Sequence, residues 1–467
     1  MSPRALPLLL SFLVCATAFA GDMAPPPPEE HPVLGEIVQA MDPAQLQSTL
    51  TALVDYGTRN TLSDTQSDKR GIGAARRWVQ ARFQQMSKDC GGCLEVITPS
   101  QVFTGERTPK DGVEVMDVVA IQKGSTDPDR YVVMTGHLDS RVSDVMDVKF
   151  DAPGADDDGS GVAAVLETAR VLSKYKFAAS IVYSVDSGEE QGLYGGKVIA
   201  QYAQDHHWQV EADLNDDIVG NSHGQNGVTD NTLVRIFSEG TRALETPKEA
   251  NDRRYHGGEI DSPSRNVARY VQALAESYIP NWRVMLVYRT DRYGRGGDQV
   301  AFNALGYPAV RLTESHEDFT HQHQDVRVEG GVHYGDVLSG VDFPYLAKVT
   351  ATNAIALAAM AWAPAPPAGV AIASDPAPGL SGGEDTVFDW KPSAGAVGYR
   401  LHWRATTDPR WSQQRYVGPA QHYLLKDVSI DDWFFGVAAV SADGFESPVV
   451  FPGPAGAFFA PATTGTP

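Results

Sequence analysis

The chain has 467 residues, of which 42% are hydrophobic, and its formal net charge at pH 7 is −21. Such a length exceeds what one ordinary core organises, so we expect two or three structural units. The hydrophobic content is typical of a folded protein and argues against disorder of the whole chain. The excess of acidic residues argues against a nucleic-acid partner, because phosphate binding needs clustered Lys and Arg side chains.

Residues 1–20 have the pattern of a secretory signal peptide. Arg4 supplies a short positive start, Ala5 to Ala16 an apolar stretch, and Ala18-Phe19-Ala20 a small-x-small cleavage site. The apolar stretch is shorter than the roughly 18 residues that span a bilayer, and no other run is long and uncharged enough to do so. We therefore expect an exported protein, periplasmic or secreted, with no membrane span, and we expect it to be a monomer.

Two cysteines remain after the signal, Cys90 and Cys93, in the spacing C-G-G-C. In a cytosolic chain this spacing could be a redox or metal pair. In an exported chain a local disulfide is favoured. We predict a disulfide without a catalytic role.

Residues 21–41, which include four consecutive prolines, predict a stiff exposed leader. From residue 42 to 362, strand-like and helix-like segments alternate. The predicted strands are Val115–Gln122, Tyr131–Thr135, Ser180–Asp186, Ala212–Leu214, Arg283–Tyr288 and Ala309–Leu312. The predicted helices include Ile72–Met86, Val162–Leu172, Tyr194–Tyr202, Val267–Tyr278 and Tyr345–Trp362. This alternation predicts an α/β domain with a mixed, mostly parallel central sheet flanked by helices, although the polar stretch 220–260 gives few periodic signals.

The composition changes after residue 362. Residues 363–376 form a Pro/Ala-rich segment that predicts a linker. Residues 377–460 contain short alternating strands with turn residues between them, which predicts a small all-β sandwich. The segments GYRLHWR and WFFGVAAVSADGFES resemble a fibronectin type III module. A spacer role and a role in weak adhesion both stay open for it.

Acidic residues and histidines follow several predicted strands. His137 and Asp139 come at the end of one strand, and three consecutive aspartates, Asp156 to Asp158, precede a Gly-Ser-Gly and a helical pattern. A hydrogen-bonded structural histidine and a solvated helix N-terminus are the alternative interpretations. Three adjacent carboxylates repel one another, however, and a packed fold tolerates them mainly where a cation compensates their charge.

Three further groups continue this pattern along the chain. Glu189-Glu190 follows a strand that ends at Asp186, and Asp216-Asp217 follows another. A histidine-rich run, TESHEDFTHQHQD, follows the strand Ala309–Leu312. Each group alone could be an ordinary surface cluster. Together, at successive strand ends where ligands gather in α/β sheets, they predict a metal centre whose nitrogen and oxygen ligands suit zinc.

These motifs resemble the co-catalytic zinc aminopeptidase family, which includes secreted bacterial aminopeptidases and members similar to glutamate carboxypeptidase and glutaminyl cyclase. The motifs that carry the resemblance are YGTRNTLS, GIGAARRWV, GHLDS, APGADDDGSG, SGEEQGLYG, LNDDIVGN, RGGDQVAF and HQHQD. They occur in family order and cover roughly residues 40 to 362. The resemblance implies the zinc exopeptidase fold and two Zn²⁺ ions.

The resemblance also implies a set of metal ligands. Asp157 would bridge the two zinc ions, His137 and Asp217 would complete one site, and Glu190 and His321 would complete the other. The peptide bond that follows the bridging aspartate would be cis.

Further roles follow from the same resemblance. Glu189 would be the general base that takes a proton from the attacking water, and Asp139 would orient the imidazole of His137. His316 and His323 are expected to lie outside the ligand set. Tyr293 is a candidate for helping to stabilise the oxyanion.

The function we expect is that of an exported di-zinc aminopeptidase acting on peptides with a free N-terminus. A carboxypeptidase or dipeptidase on the same scaffold is the alternative. Glutaminyl cyclase is a third possibility, although the family resemblance implies one zinc ion for cyclases, against five ligands here. A non-catalytic binding protein is a fourth, and the presence of Glu189 argues against it.

Overall fold

A computed structural model describes residues 26–372 and 385–453 of the chain. The predicted signal peptide and part of the predicted linker lie outside these residues. The helices are α1 (Pro32–Gln39), α2 (Pro43–Val54), α3 (Ile72–Asp89), α4 (Gly159–Leu172), α5 (Glu189–Gly192), α6 (Tyr194–Asp205), α7 (Pro247–His256), α8 (Pro263–Tyr278), α9 (Gln299–Ala304) and α10 (Phe343–Trp362). Within this part of the chain, no helix combines the length and apolarity needed to cross a bilayer.

Among the described residues, twelve strands precede the C-terminal unit. They are β1 (Leu94–Ile97), β2 (Ser100–Phe103), β3 (Val113–Met116), β4 (Val118–Gln122), β5 (Asp127–His137), β6 (Ala179–Asp186), β7 (Gln209–Asp216), β8 (Leu233–Ser238), β9 (Arg283–Val287), β10 (Ala309–Glu314), β11 (Arg327–Glu329) and β12 (Val332–Tyr334). Eight of them form one sheet in the order β1-β4-β6-β5-β7-β10-β8-β9. The pairs β5–β6, β5–β7, β7–β10 and β8–β9 are parallel, and the remaining pairs are antiparallel. The predicted mixed sheet is therefore confirmed.

The middle of this sheet is buried on both faces. Every residue of β6 is buried, as expected for a parallel strand that is covered by helices on both sides. One apolar cluster joins one face to helices α1, α2, α3, α4, α8 and α10. A second cluster joins the other face to α6 and α9. The two helical layers hold the strand ends rigidly at one edge, where the candidate site lies.

Helix α1 corrects one expectation. Residues 21–41 were predicted to be an exposed leader, but Pro32–Gln39 form a helix whose Leu34 and Ile37 are fully buried in the main core. The proline-rich composition concealed this helix, because its apolar face has only those two fully buried residues. The predicted leader is therefore partly packed against the α/β unit.

The C-terminal unit consists of β13 (Ala371–Ile372), β14 (Thr386–Asp389), β15 (Gly398–Ala405), β16 (Gln413–Tyr416), β17 (His422–Leu425) and β18 (Trp433–Val440). They form two three-stranded antiparallel sheets, β13-β14-β17 and β16-β15-β18. Phe388 and Phe435 meet between the sheets with ring centroids 5.0 Å apart. The small all-β unit is as predicted, but β13 lies within the segment 363–376 that was predicted to be a linker.

This sandwich packs directly on the α/β unit. Its apolar residues belong to the same core cluster as those of α8 and α10. Arg404 of β15 forms an ion pair of 2.7 Å with Asp261, just before α8, and both side chains are fully buried. The hydroxyl of Tyr270 on α8 donates to the carbonyl of Glu446 at 2.9 Å. The two units therefore share a core and a network of polar contacts.

Candidate metal centre

The ends of three adjacent parallel strands define the site. His137 ends β5 and pairs in register with Asp186, which ends β6, while Thr135 pairs with Asn215 near the end of β7. Because parallel strands end at the same edge of a sheet, the residues that follow them meet there. This edge brings together His137, Asp217 and the pair Glu189-Glu190.

The first candidate ligand group consists of His137, Asp157 and Asp217. Nε2 of His137 lies 3.2 Å from Oδ1 of Asp157 and 3.9 Å from Oδ1 of Asp217. All three residues are buried. The group is the one that the family resemblance implies for the first metal position.

The second candidate group consists of Asp157, Glu190 and His323. Nε2 of His323 lies 3.0 Å from Oδ2 of Asp157 and 3.0 Å from Oε1 of Glu190. Asp157 belongs to both groups and turns one carboxylate oxygen toward each. This is the arrangement that a carboxylate bridging two cations would have.

His323 takes the position that was expected for His321, so that expectation is wrong. Nε2 of His321 lies 3.7 Å from Oδ2 of Asp318, and its backbone N–H donates to the carbonyl of Asp318 at 3.0 Å. His323 adopts a left-handed backbone with φ of 55°. The turn places the second histidine of HQH against Asp157 and Glu190 and leaves the first outside the group. No feature of the sequence distinguishes the two, because both are histidines in one polar loop.

The chemistry of the donors fits a metal. Three of the converging atoms, Nε2 of His137, Oδ2 of Asp157 and Oε1 of Glu190, are buried and have no partner with hydrogen-bond geometry among the described residues. Buried polar atoms in a packed fold normally have partners. Imidazole nitrogens and carboxylate oxygens that converge without such bonds present lone pairs to a common point, which is what a divalent cation requires.

Several backbone contacts fix Asp157. The carboxylate of Asp336 accepts the N–H groups of Asp156 at 2.8 Å and of Asp157 at 2.7 Å. The carboxylate of Asp158 accepts the N–H of His137 at 2.9 Å and that of Gly161, in the first turn of α4, also at 2.9 Å. The peptide bond between Asp157 and Asp158 is cis, as the resemblance implies. The flanking aspartates thus hold the loop, and the middle one is left for the site.

The pair Glu189-Glu190 begins the short helix α5 rather than continuing an extended segment. The carboxylate of Asp139 accepts the backbone N–H groups of Glu189 and Glu190, both at 3.2 Å. Oδ1 of Asp139 also lies 3.6 Å from Nδ1 of His137, whose nearer contact is the Asp139 carbonyl at 3.0 Å. Asp139 therefore touches both His137 and the two glutamates, a wider role than the one expected for it.

The electrostatics separate Glu189 from the ligand carboxylates. Burial, together with Asp217 and Glu190, raises the pKa of Glu189 well above its usual range, against the effect of His137. Burial acts in the same direction on Asp217, but Arg311 and His137 outweigh it and hold the pKa of that carboxyl at about 2. A carboxyl with a raised pKa suits proton transfer, and one with a lowered pKa suits cation binding.

Arg311 is a contributor that the sequence did not reveal. Its guanidinium is fully buried and lies 2.8 Å from Oδ1 of Asp217 and 3.3 Å from Oδ2 of Asp291. Arg311 lies on β10, where its neighbours are apolar. A charged residue within an apolar run was therefore the only signal that the sequence offered. It fixes the carboxylate of Asp217 in the first group.

The remaining candidates lie outside both groups. Tyr293, a candidate for oxyanion stabilisation, is 89% exposed, and the guanidinium of Arg289 lies 5.5 Å from its ring centroid. His316 lies beside Gly224. Cys90 and Cys93 are joined as a disulfide, as predicted.

Comparisons with known proteins agree with this geometry. Residues 117–328 match the profile described as Peptidase family M28, and this range contains every residue of the two ligand groups. A protein named as a probable zinc metalloprotease in Pyrenophora tritici-repentis is 40% identical over 93% of this chain and 89% of its own length. A second of that description, from Leptosphaeria maculans, is 39% identical over 92% of this chain and 98% of its own.

A solved structure shares the fold. LapA of Legionella pneumophila aligns with a TM-score of 0.52 and 19% identity, covering 73% of this chain and 79% of its own. The buried ligand groups, the profile match and the identity over nearly the whole length lead to one conclusion: the chain belongs to peptidase family M28.

Proposed function

We propose that this protein is an exported exopeptidase that binds two zinc ions and removes amino-terminal residues from peptides. The single observation that carries the proposal is the sharing of Asp157 between the His137–Asp217 pair and the Glu190–His323 pair, with Glu189 beside them. The names of the curated relatives, probable zinc metalloproteases, support zinc as the metal. A Legionella pneumophila structure named as LapA aminopeptidase supports cleavage at the amino terminus of the substrate. This support rests on the shared fold alone.

The chain's own residues divide the work. Asp157, His137, Asp217, Glu190 and His323 would hold the ions. Bound there, the ions would polarise the scissile carbonyl and lower the pKa of the attacking water toward neutrality.

Glu189 would accept the proton of that water and deliver it to the leaving amine. Burial raises its pKa above the usual carboxyl range, which is the direction that suits a group that accepts a proton. Asp139 would keep Glu189 in place through the amide hydrogen bonds that begin α5. Asp157 and Asp217, with their lowered pKa values, would stay ionised as ligands.

A carboxypeptidase or dipeptidase is the second candidate, and two guanidinium groups near Glu190 favour it. The guanidinium of Arg141, whose side chain is 13% exposed, lies 3.9 Å from Oε2 of Glu190. Arg107 donates to the backbone carbonyl of Glu190 at 3.0 Å. Guanidinium groups so near the ligands could bind the carboxylate of a substrate's C-terminus.

Hydrolysis of amino-acid anilides by the purified protein tests the proposal. We expect turnover that a chelator abolishes and added zinc restores. Glu189→Gln should lower kcat by about 10²–10⁴-fold, the typical contribution of a general base, with zinc content unchanged. Glu36→Gln, which makes the same change at an exposed position of α1, is the matched control and should behave as wild type.

Two outcomes would contradict the proposal. Release of only C-terminal residues from blocked peptides would favour the second candidate. Full activity of Glu189→Gln would remove the general-base role. Export is tested separately: the secreted protein should begin after residue 20, and an intact N-terminus in the cytoplasm would exclude it.

A further inference from the structure

A cavity of about 470 Å³ lies between α3, the β2–β3 hairpin and the loop 61–66. None of the candidate metal ligands lines it. Its wall is polar, with hydroxyl and amide side chains that include Ser63, Thr65 and Gln80. Its volume is within the range of about 300–1,000 Å³ that is usual for small-molecule sites.

Two residues that line this cavity each carry a buried donor that has no hydrogen-bond partner among the described residues. These donors are the NH2 group of Arg76 and the hydroxyl of Thr61. Arg76 is 8% exposed and Thr61 is 2% exposed. Buried donors without a partner are rare and costly in a native fold, so two at one cavity point to a ligand that supplies acceptors.

Arg76 differs from Arg59, a buried arginine whose guanidinium is engaged by the backbone through all three of its nitrogens. The guanidinium of Arg59 donates to four backbone carbonyls, those of Leu53, Leu138, Pro153 and Gly154. Arg76 donates through Nε to the hydroxyl of Ser187 at 3.2 Å. Its NH1 and NH2 edge, the edge that binds a carboxylate with two parallel hydrogen bonds, is the one that includes the unpartnered group.

The charges on the wall favour an anion. Arg76 and Arg77 are its cationic residues and Glu114 its acidic one, which leaves one positive charge in excess. The carboxylate of Glu114 is engaged, since it accepts the hydroxyl of Ser100 at 2.9 Å. Arg77 donates to the carbonyls of Thr65 and Ser67 and so holds the loop that closes the cavity.

We propose that this cavity binds small organic carboxylates, which Arg76 and Thr61 hold. Ser187 lies two residues before Glu189 and is also held by Asp117, whose carboxylate accepts its N–H at 3.0 Å. A carboxylate that fixes the guanidinium of Arg76 would therefore steady the segment that carries the general base. This second part rests on the proposed role of Glu189, whereas the binding part does not.

Thermal unfolding of the full chain with and without acetate, citrate or free leucine tests the binding, at constant pH and ionic strength. We expect a saturable rise in Tm with at least one carboxylate, and none with equimolar chloride or with leucinamide, in which an amide replaces the carboxylate of leucine. Comparing acetate and citrate with leucine separates a simple organic acid from an amino acid as the source of the carboxylate. Inorganic phosphate serves as the probe for a non-carboxylate oxyanion, and a rise with phosphate alone would overturn the carboxylate assignment.

Arg76→Gln should abolish the ligand-induced rise in Tm. Lys88→Gln, which removes the same charge from an exposed position of the same helix, should keep it. If Arg76→Gln does not fold, Gln80→Trp fills the cavity from its half-exposed wall and should also abolish the rise. A rise that persists in these cavity variants, or is absent in the wild type, would overturn the site and leave Arg76 as a structural partner of Ser187.

The coupling has its own readout. A saturating carboxylate should change kcat for an anilide substrate by about twofold or more in the wild type and in Lys88→Gln, with zinc content constant. It should leave kcat unchanged in Arg76→Gln. Binding without any change in kcat would overturn the coupling to Glu189 and leave the binding site intact.

Discussion

The candidate metal centre and the interface between the α/β unit and the sandwich both bury carboxylates, but they compensate the charge differently. At the interface, Asp261 accepts from Arg269 at 2.7 Å and from Arg404 at 2.7 and 2.8 Å. At the metal centre, Asp157 and Glu190 meet histidines at distances of 3.0 to 3.2 Å, and each retains a buried oxygen without hydrogen-bond geometry.

The difference teaches how a structural charge can be told from a functional one. Burying a carboxylate is costly unless cations and hydrogen bonds compensate it. The interface supplies both from the chain itself, so it is complete as folded. At the metal centre the chain supplies imidazole nitrogens and carboxylate oxygens that converge on one another. A cation from outside the chain is therefore needed to complete this site. This comparison predicts that the metal centre responds to zinc and that the interface does not.

The largest effect is expected for Asp157→Asn, which removes the carboxylate shared by both ligand groups. Activity should fall by about 10³-fold or more, which corresponds to about 4 kcal/mol of transition-state stabilisation. In the wild type, zinc at about 100 times its Kd should stabilise the fold by about 2.7 kcal/mol. The variant should lack this gain because it no longer binds both ions. Chemical unfolding with zinc and with chelator measures the gain, and an unchanged response of the variant to zinc would contradict the shared-ligand assignment.

The next effect separates the two histidines of HQH. His323→Gln should lower kcat/KM by about 10²-fold or more, about 3 kcal/mol, because its imidazole meets Asp157 and Glu190. His321→Gln makes the same change two residues earlier and should stay near wild type. Zinc content and anilide hydrolysis measure both. The reverse order of effects would restore His321 as the ligand.

Much of the site could be predicted from the sequence because strand ends and ligands coincide. The apolar runs before His137, Glu189 and Asp217 locate three neighbouring strands, and parallel strands bring their ends together whatever the loops do. His323 could not be predicted, because a left-handed backbone in a turn decides which histidine faces inward. That choice depends on contacts made only after folding.

The fold also has parts that could be predicted from the sequence and parts that could not. The central strands were predictable because they are continuous apolar runs. Helix α1 and strand β8 were not, since the first lies in a proline-rich segment and the second in a polar stretch. The sandwich was predicted as a unit, but its attachment depends on Arg404, a charged residue on an alternating strand whose partner lies more than a hundred residues away.

Asp261→Asn should disturb the interface without affecting the metal centre. It leaves two buried guanidinium groups without their carboxylate, so we expect a loss of about 3–5 kcal/mol in the free energy of unfolding. Zinc content per folded molecule and kcat should stay near wild type. Urea unfolding with and without zinc measures this. Asp389→Asn, at a half-exposed carboxylate of the sandwich, is the control and should cost little. A variant as stable as wild type would mean that the ion pair does not hold the units together.

The smallest effect concerns a carboxyl that neither region uses. Glu239 follows β8, is 7% exposed, and has a pKa that burial raises to about 7, against Ser264, Arg242 and Arg265. Between pH 4.5 and 7 the unfolded chain releases this proton before the folded chain does, so stability falls as pH rises through that window. The loss should approach about 3 kcal/mol above pH 7, since one pKa unit corresponds to about 1.4 kcal/mol.

Glu239→Gln keeps the shape of the protonated carboxyl and cannot lose a proton. We therefore expect the variant to match the wild type at pH 4 and to exceed it in stability at pH 8, with Glu36→Gln as the control for an exposed glutamate. Urea unfolding across this range with chelator present excludes any contribution from zinc. Equal stabilities at pH 8 would mean that Arg242 and Arg265 neutralise the ionised carboxylate. Glu239 would then belong with Asp261, as a buried charge that the chain itself compensates.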